Sequence, residues 1–185
     1  MILLLLAPLA QADPIAQRSP APGDVVVAVG APEQAVAVRL PAEDDQPRVV
    51  LSLGTRVPAG TTELSVGMQH GGGPGSREDT GWAWAAGASV GVFFTRGPSA
   101  GLSLAPWARV ERRGRVHGGV QVASPIAAGL RGGLRLPVLG ELFLGSQRDG
   151  IHVQAVGGAG WAFLPSTPAG SLVLQGSVQV GVDLP

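Results

Sequence analysis

Residues Gly81–Phe94 read GWAWAAGASVGVFF, and this stretch decides the fold. Its even positions are Trp82, Trp84, Ala86, Ala88, Val90, Val92 and Phe94. Its odd positions are Gly81, Ala83, Ala85, Gly87, Ser89, Gly91 and Phe93. A period of two is the period of a β-strand, whose successive side chains point to opposite faces. One face of this strand is large and apolar, and the other is mostly small.

The same alternation continues on both sides. Downstream, Leu102, Leu104, Ala108 and Val110 oppose Ser103, Trp107, Arg109 and Glu111. Val116, Val120 and Val122 oppose Arg115, His117 and Gln121. Leu130, Leu134 and Leu136 oppose Arg131 and Arg135. Ile151, Val153, Ala155, Trp161 and Phe163 oppose His152 and Gln154. Leu172, Leu174, Val178, Val180, Val182 and Leu184 oppose Ser171, Gln175, Ser177, Gln179 and Asp183. Upstream, Val49, Leu51 and Leu53 oppose Ser52 and Arg56, and Leu64, Val66 and Met68 oppose Glu63, Ser65 and Gln69. Two shorter runs, Asp24–Gly30 and Gln34–Leu40, come first and are joined by Ala31-Pro32-Glu33. Turn chemistry separates the runs at Pro58-Ala59-Gly60, Gly71–Asp79, Arg96–Ala100, Arg113-Gly114, Ser124-Pro125, Arg148–Gly150 and Pro165–Gly170. The expectation is an all-β antiparallel up-and-down meander of eight to ten strands, with Pro137–Gly140 as a point where one long strand could divide.

Two architectures place period-two strands throughout a chain. In a β-sandwich the apolar face is the core and the other face meets water. In a transmembrane β-barrel the apolar face meets lipid and the other lines the interior. The second fits this composition better. Only 14% of the residues are charged, where a soluble surface asks for roughly a quarter. The face opposite the apolar one is Gly, Ala, Ser and Gln with scattered Arg and Glu, which suits a narrow lumen. The later runs reach the roughly 9–11 residues that a tilted spanning strand requires. Trp82 and Trp84 lie at one end of their apolar face and Phe94 at the other, while Trp161 and Phe163 close theirs; all five are expected at lipid interfaces. The β-barrel domain is expected over 24–185, with its core barrel over 48–184.

Composition removes several classes of function. Thirteen basic residues, all Arg, balance thirteen acidic ones. Nucleic-acid binding, which needs a positive excess, is therefore not expected. There is no Cys among the 185 residues, which excludes disulfides, thiolate metal sites and cysteine nucleophiles. At 45% apolar content the chain does not read as disordered, even with 29 Gly and 16 Pro. Residues 1–12, MILLLLAPLAQA, read as a signal peptide with a small-x-small site at Ala10-Gln11-Ala12, although no Lys or Arg precedes the apolar stretch. Residues 13–23 read as a Pro-rich linker.

In pattern, leader and lack of Cys, the chain resembles the small outer-membrane β-barrels of Gram-negative bacteria over 48–184, or 24–184 at its widest. The resemblance implies membrane lipid and the outer-membrane assembly machinery as partners, with no cofactor and no metal. Two features depart from that pattern. There is no Tyr, and the chain ends Val182-Asp183-Leu184-Pro185 rather than in an aromatic residue.

The residues expected inside the barrel include Arg48, Arg56, Glu63, Arg109, Glu111, Arg131, Arg135, Glu141 and Asp183. Buried charges must pair, so these are read as an interior network that either plugs the barrel or lines a narrow passage for small solutes. His70, His117 and His152 are the histidines. His117 and His152 share the polar face, with Ser124 and Glu111 near His117 in sequence. That leaves open a lipid A-modifying barrel enzyme using His117 or His152, although no nucleophile signature accompanies them. Gly71-Gly72-Gly73-Pro74-Gly75 lacks the ending of a phosphate-binding loop. Arg112-Arg113-Gly114-Arg115 is a basic hairpin cluster that could meet lipid phosphates. The leading expectation is a non-catalytic outer-membrane barrel; the alternative of another class is a secreted or periplasmic β-sandwich binding module.

Overall fold

A computed structural model describes residues 24–31, 33–40, 46–56, 60–73, 80–96, 100–129, 133–164 and 167–184. The expected signal peptide, the linker and Arg131 lie outside the described residues. At Arg56 and Arg135 only the backbone is described.

Every regular element among the described residues is a strand. In order they are β1 (Val25–Ala31), β2 (Glu33–Arg39), β3 (Arg48–Arg56), β4 (Thr61–Gly72), β5 (Gly81–Phe94), β6 (Ala100–Arg113), β7 (Val116–Ala123), β8 (Ile126–Gly129), β9 (Gly133–Arg148), β10 (Ile151–Leu164) and β11 (Thr167–Val182). Each pairs antiparallel with its neighbours, and β1 pairs with β11 from Val25↔Val182 to Ala31↔Gly176. This pairing closes the sheet into a single barrel. The two-sheet sandwich is thereby overturned, because no second layer covers either face.

The barrel has ten strand passages. β7 and β8 both lie between β6 and β9 in one continuous register, Trp107↔Ala123 being followed by Leu104↔Ile126. Ser124-Pro125, read from sequence as a reversal, is instead an interruption within one passage. Proline has no N–H to give to the ladder, so pairing lapses there without a turn. Ser124 stays tied on both sides, its N–H to Pro106 O at 2.9 Å and its hydroxyl to Pro137 O at 2.8 Å. The reversal falls between β8 and β9, inside the run that the sequence suggested was one strand. Pro137–Gly140 does not divide β9. At Arg148–Ile151 the chain reverses tightly, with Asp149 at φ 51° and Gly150 at φ 75°. An Asp-Gly pair suits such a two-residue hairpin, because both positions need positive φ.

The register fixes the barrel's shape. Val27, Val36, Leu53, Leu64, Val92, Leu102, Ala128 and Leu134 lie on one row of paired residues. Carried through the remaining registers, the row returns to the line of β1 displaced by about twelve residues. Ten strands with that stagger tilt by about 40° and close at a radius of about 10 Å. Residues 24 and 184 share one end, called proximal here; β1, β3, β5, β8 and β10 run toward the other, distal end.

Burial is inverted relative to a water-soluble protein. Leu102, Leu142, Leu144 and Leu174 point outward at 64–68% exposure. Glu63, Arg109, Glu111, Glu141, His117 and His152 point inward at 5% or less. Glycine makes this filling possible. A Cβ on Gly87 would meet the Trp107 ring at 2.8 Å, and one on Gly119 the Phe143 ring at 2.9 Å. Each large inward side chain thus lies across a strand that offers it no side chain of its own. The outward-facing Gly157 is different, with nothing within 4 Å of an added Cβ.

This contrast is testable by equilibrium unfolding of the folded barrel. Gly160→Val would drive a side chain into the Val138 carbonyl and Leu139, and is expected to cost about 1–3 kcal/mol. Gly157→Ala is expected to be neutral or to stabilise by up to about 1 kcal/mol.

Candidate functional site

The inward-facing polar residues fall into levels along the barrel axis. Near the proximal end, β6 carries Arg109, Glu111 and Arg113 on one face of its strand. Arg109 and Glu111 form a buried ion pair. Arg113 Nε donates to the other carboxylate oxygen of Glu111 at 2.8 Å. One carboxylate thus serves two guanidinium groups. Arg109 also places its guanidinium carbon 4.3 Å from the centroid of the Phe143 ring, on β9. It reaches across β7 to do so, over Gly119, which pairs with Glu111 on one side and Phe143 on the other.

The next pair is arranged the same way. His117 on β7 and Gln154 on β10 both stand opposite Gly145 of β9. A Cβ on Gly145 would meet His117 Nε2 at 2.5 Å. His117 is 3% exposed, and neither ring nitrogen has a hydrogen-bond partner. Two residues before Gln154, His152 Nε2 lies 3.0 Å from Asp183 Oδ2, and Asp183 opens toward the proximal mouth.

Farther along, Glu141 and Gln175 meet over Gly158 of β10, with which both are paired. Gln121 Nε2 donates to the same Glu141 carboxylate at 2.8 Å. Toward the distal end, Ser103 donates to Glu63 over Gly91 of β5. The middle of the lumen is apolar on one side, where Val26, Ala37 and Val50 form a buried cluster.

The expected interior network is therefore several separate groupings. Arg109 and Glu111 come together, joined by Arg113, which sequence reading had placed in a surface hairpin cluster with Arg112 and Arg115. Those two are exposed. Glu141 bonds to Gln121 on the adjoining strand and to Gln175 two strands away, and Glu63 to Ser103 two strands away. Arg48 is half-buried at the proximal rim. Arg39, 6% exposed, is an inward-facing residue the sequence reading missed. The alternation of β2 carries that signal, since Val36 and Val38 face outward on either side of Ala37. Asp183 is paired with His152, a contact between strand ends that no sequence spacing announces.

Outside, Trp82 (71% exposed) and Trp84 (48%) mark the proximal end of the apolar band. Phe94, Trp161 and Phe163 mark its distal end at 43–55% exposure. The two levels are separated by roughly 25–30 Å along the axis. Among the described residues no charged side chain points outward between them. Arg112 faces outward level with Trp82, with which it pairs, and the His70 ring sits edge-on to Trp84 at 5.6 Å.

Ser124 is engaged with Pro137 O, and among the described residues no three His, Cys, Asp or Glu are grouped to hold a metal ion. Compared with protein-family models, curated proteins and solved structures, the chain matches none of them.

Glu111 is the keystone of the proximal level, because its removal leaves two guanidinium groups facing each other in a buried site. Glu111→Gln is expected to cost about 3–5 kcal/mol in unfolding free energy. Combining it with Arg109→Met should recover more than half of that loss, measured in the same denaturant series.

Proposed function

We propose that this protein is an outer-membrane β-barrel without catalytic activity, acting structurally or as a narrow passage for small solutes. The observation that carries the reading is the inverted burial. A predominantly apolar band, bounded by aromatic residues at both ends and free of charged side chains among the described residues, encircles a lumen of Arg, Glu, Gln, His and Ser. A band of that extent in water would be an aggregation surface, whereas in a bilayer it is the surface lipid requires. Closure of the ladder supports the same reading, since a spanning sheet can leave no edge unpaired in hydrocarbon. No helix of the described residues is long and apolar enough to cross a membrane, so crossing would be by strands.

The lumen's chemistry supports the narrow role. Its titratable groups are engaged mostly with neighbours inside the barrel, as befits a lining held together by its own contacts. His117 and His152 both face this lining rather than the lipid. On this reading the partners are lipid and the machinery that inserts such barrels.

The direct test is refolding of the chain with and without detergent micelles, followed by electrophoresis before and after boiling. The expected result is a compact, heat-modifiable band only when detergent is present. A monodisperse β-rich protein in plain buffer would overturn the reading. Depth can be probed as well: Val90→Arg, near mid-band, should cost about 2–4 kcal/mol, and Trp82→Arg, at the edge, no more than about 1 kcal/mol.

A further inference from the structure

The β6–β7 turn carries two exposed guanidinium groups that have no acid of their own. The alternation of β6 sends Arg109, Glu111 and Arg113 inward and Arg112 outward, and Arg112 and Arg115 are both exposed. Each carboxylate described at the proximal end is already engaged. Glu111 serves Arg109 and Arg113, and Asp149 lies 3.3 Å from Arg148. Asp183 lies 3.0 Å from His152, and Asp24 accepts the Leu184 N–H at 3.0 Å. Neither Arg112 nor Arg115 has a side-chain partner among the described residues.

The turn is anchored to the wall. Gly114 is buried, and the Arg115 carbonyl accepts the Gln147 N–H of β9 at 2.9 Å. Arg112 stands between Trp82 of β5 and Gly118 of β7. Gly118 has no side chain, so it sets no charge or bulk beside Arg112 on that flank. Trp82, 71% exposed, puts Arg112 at the edge of the apolar band. Farther into the band the outward-facing Val110, Val120 and Val122 are 46–56% exposed, a surface suited to acyl chains. Arg112 and Arg115 are three residues apart, so their Cα atoms are separated by at most about 11 Å, and two Arg side chains span that distance to one phosphate.

We propose that the outer face of the β6–β7 turn binds the phosphate of an anionic lipid headgroup in the leaflet at the proximal end, through Arg112 and Arg115 beside Trp82. A guanidinium fork matches phosphate oxygens in pairs, and the bond is charge-assisted. A lipid suits the site better than a free phosphate, because its acyl chains also gain the valine surface where the band begins. An anionic headgroup suits it better than a zwitterionic one, because a choline or ethanolamine cation would bring a third positive charge beside two guanidinium groups. The inference rests on the membrane reading and adds which lipid is chosen and where it is held.

The test is native mass spectrometry of the barrel folded in detergent, titrated with dioleoylphosphatidylglycerol and, separately, with dioleoylphosphatidylcholine. The first phosphatidylglycerol should bind about fivefold or more tighter than phosphatidylcholine, since each basic residue at an anionic surface is worth a factor of about five. On the same scale Arg112→Gln and Arg115→Gln should each weaken it about fivefold, and the double variant at least about tenfold. Arg148→Gln, whose charge Asp149 already balances, should leave it unchanged. Inorganic phosphate at lipid-equivalent concentration should not displace the lipid. An equal loss in Arg148→Gln would reduce the site to diffuse surface charge and overturn it. Equal binding of the two lipids, or displacement by inorganic phosphate, would remove the anionic lipid as occupant. Heat-modifiable mobility of the same samples reports folding, and the single variants carry the test if the double variant does not fold. A heat-modifiable barrel with no preference for phosphatidylglycerol overturns this inference alone, whereas a protein monodisperse in plain buffer overturns the membrane reading and this inference with it.

Discussion

The rest of the structure depends on the pairing of β1 with β11. Each strand of an open sheet has a neighbour on both sides except the first and last, which carry rows of unpaired N–H and C=O groups. Here Val25–Ala31 meets Gly176–Val182 residue for residue, and the rows disappear. Only a sheet without edges can afford an apolar outer surface, because everything polar in its backbone is satisfied within the wall. Closure also divides the environment in two. Every side chain is committed either to the outside or to a bounded lumen, and a shift of one residue in any register would exchange the two sets along a whole strand.

Inside that boundary the shortage is of space. A wall of about 10 Å radius cannot accept a large side chain from every inward position. Glycine on the intervening strand lets residues two strands apart reach each other, as Glu141 and Gln175 do over Gly158. Arg109 and Phe143 do the same over Gly119, and Glu63 and Ser103 over Gly91. These contacts brace the wall across its curvature, a direction in which the ladder's own hydrogen bonds give little stiffness. His117 and Gln154 share the same geometry over Gly145 without closing a hydrogen bond in which His117 takes part.

The barrel and its two faces were legible in the sequence because a period of two survives in nearly every strand. Gly81–Phe94 alone assigns which side chains face out, and the structure keeps that assignment through Trp82, Val90 and Phe94. What was not legible depends on partners distant in sequence. The Ser124-Pro125 interruption looks like a turn, because a missing N–H reads the same whether the chain reverses or runs on. Arg113 looked solvated because it adjoins Gly114; its engagement with Glu111 follows from alternation continuing to the last residue of β6. The pairing of His152 with Asp183 requires knowing that β10 and β11 are in register at their proximal ends.

The glycine-bridged contacts also bear on how such a chain can change over generations. On the outer face one apolar residue replaces another at little cost, and even Gly157 has room for a larger side chain. Inside, Gly158 cannot be exchanged unless Glu141 and Gln175 change with it, and Gly119 is bound in the same way to Phe143 and the backbone of β6. Drift should therefore be rapid on the outward-facing pattern and slow in triplets spanning three strands. Relatedness between barrels of this kind would be preserved in the joint identity of those triplets long after residue-by-residue similarity had faded.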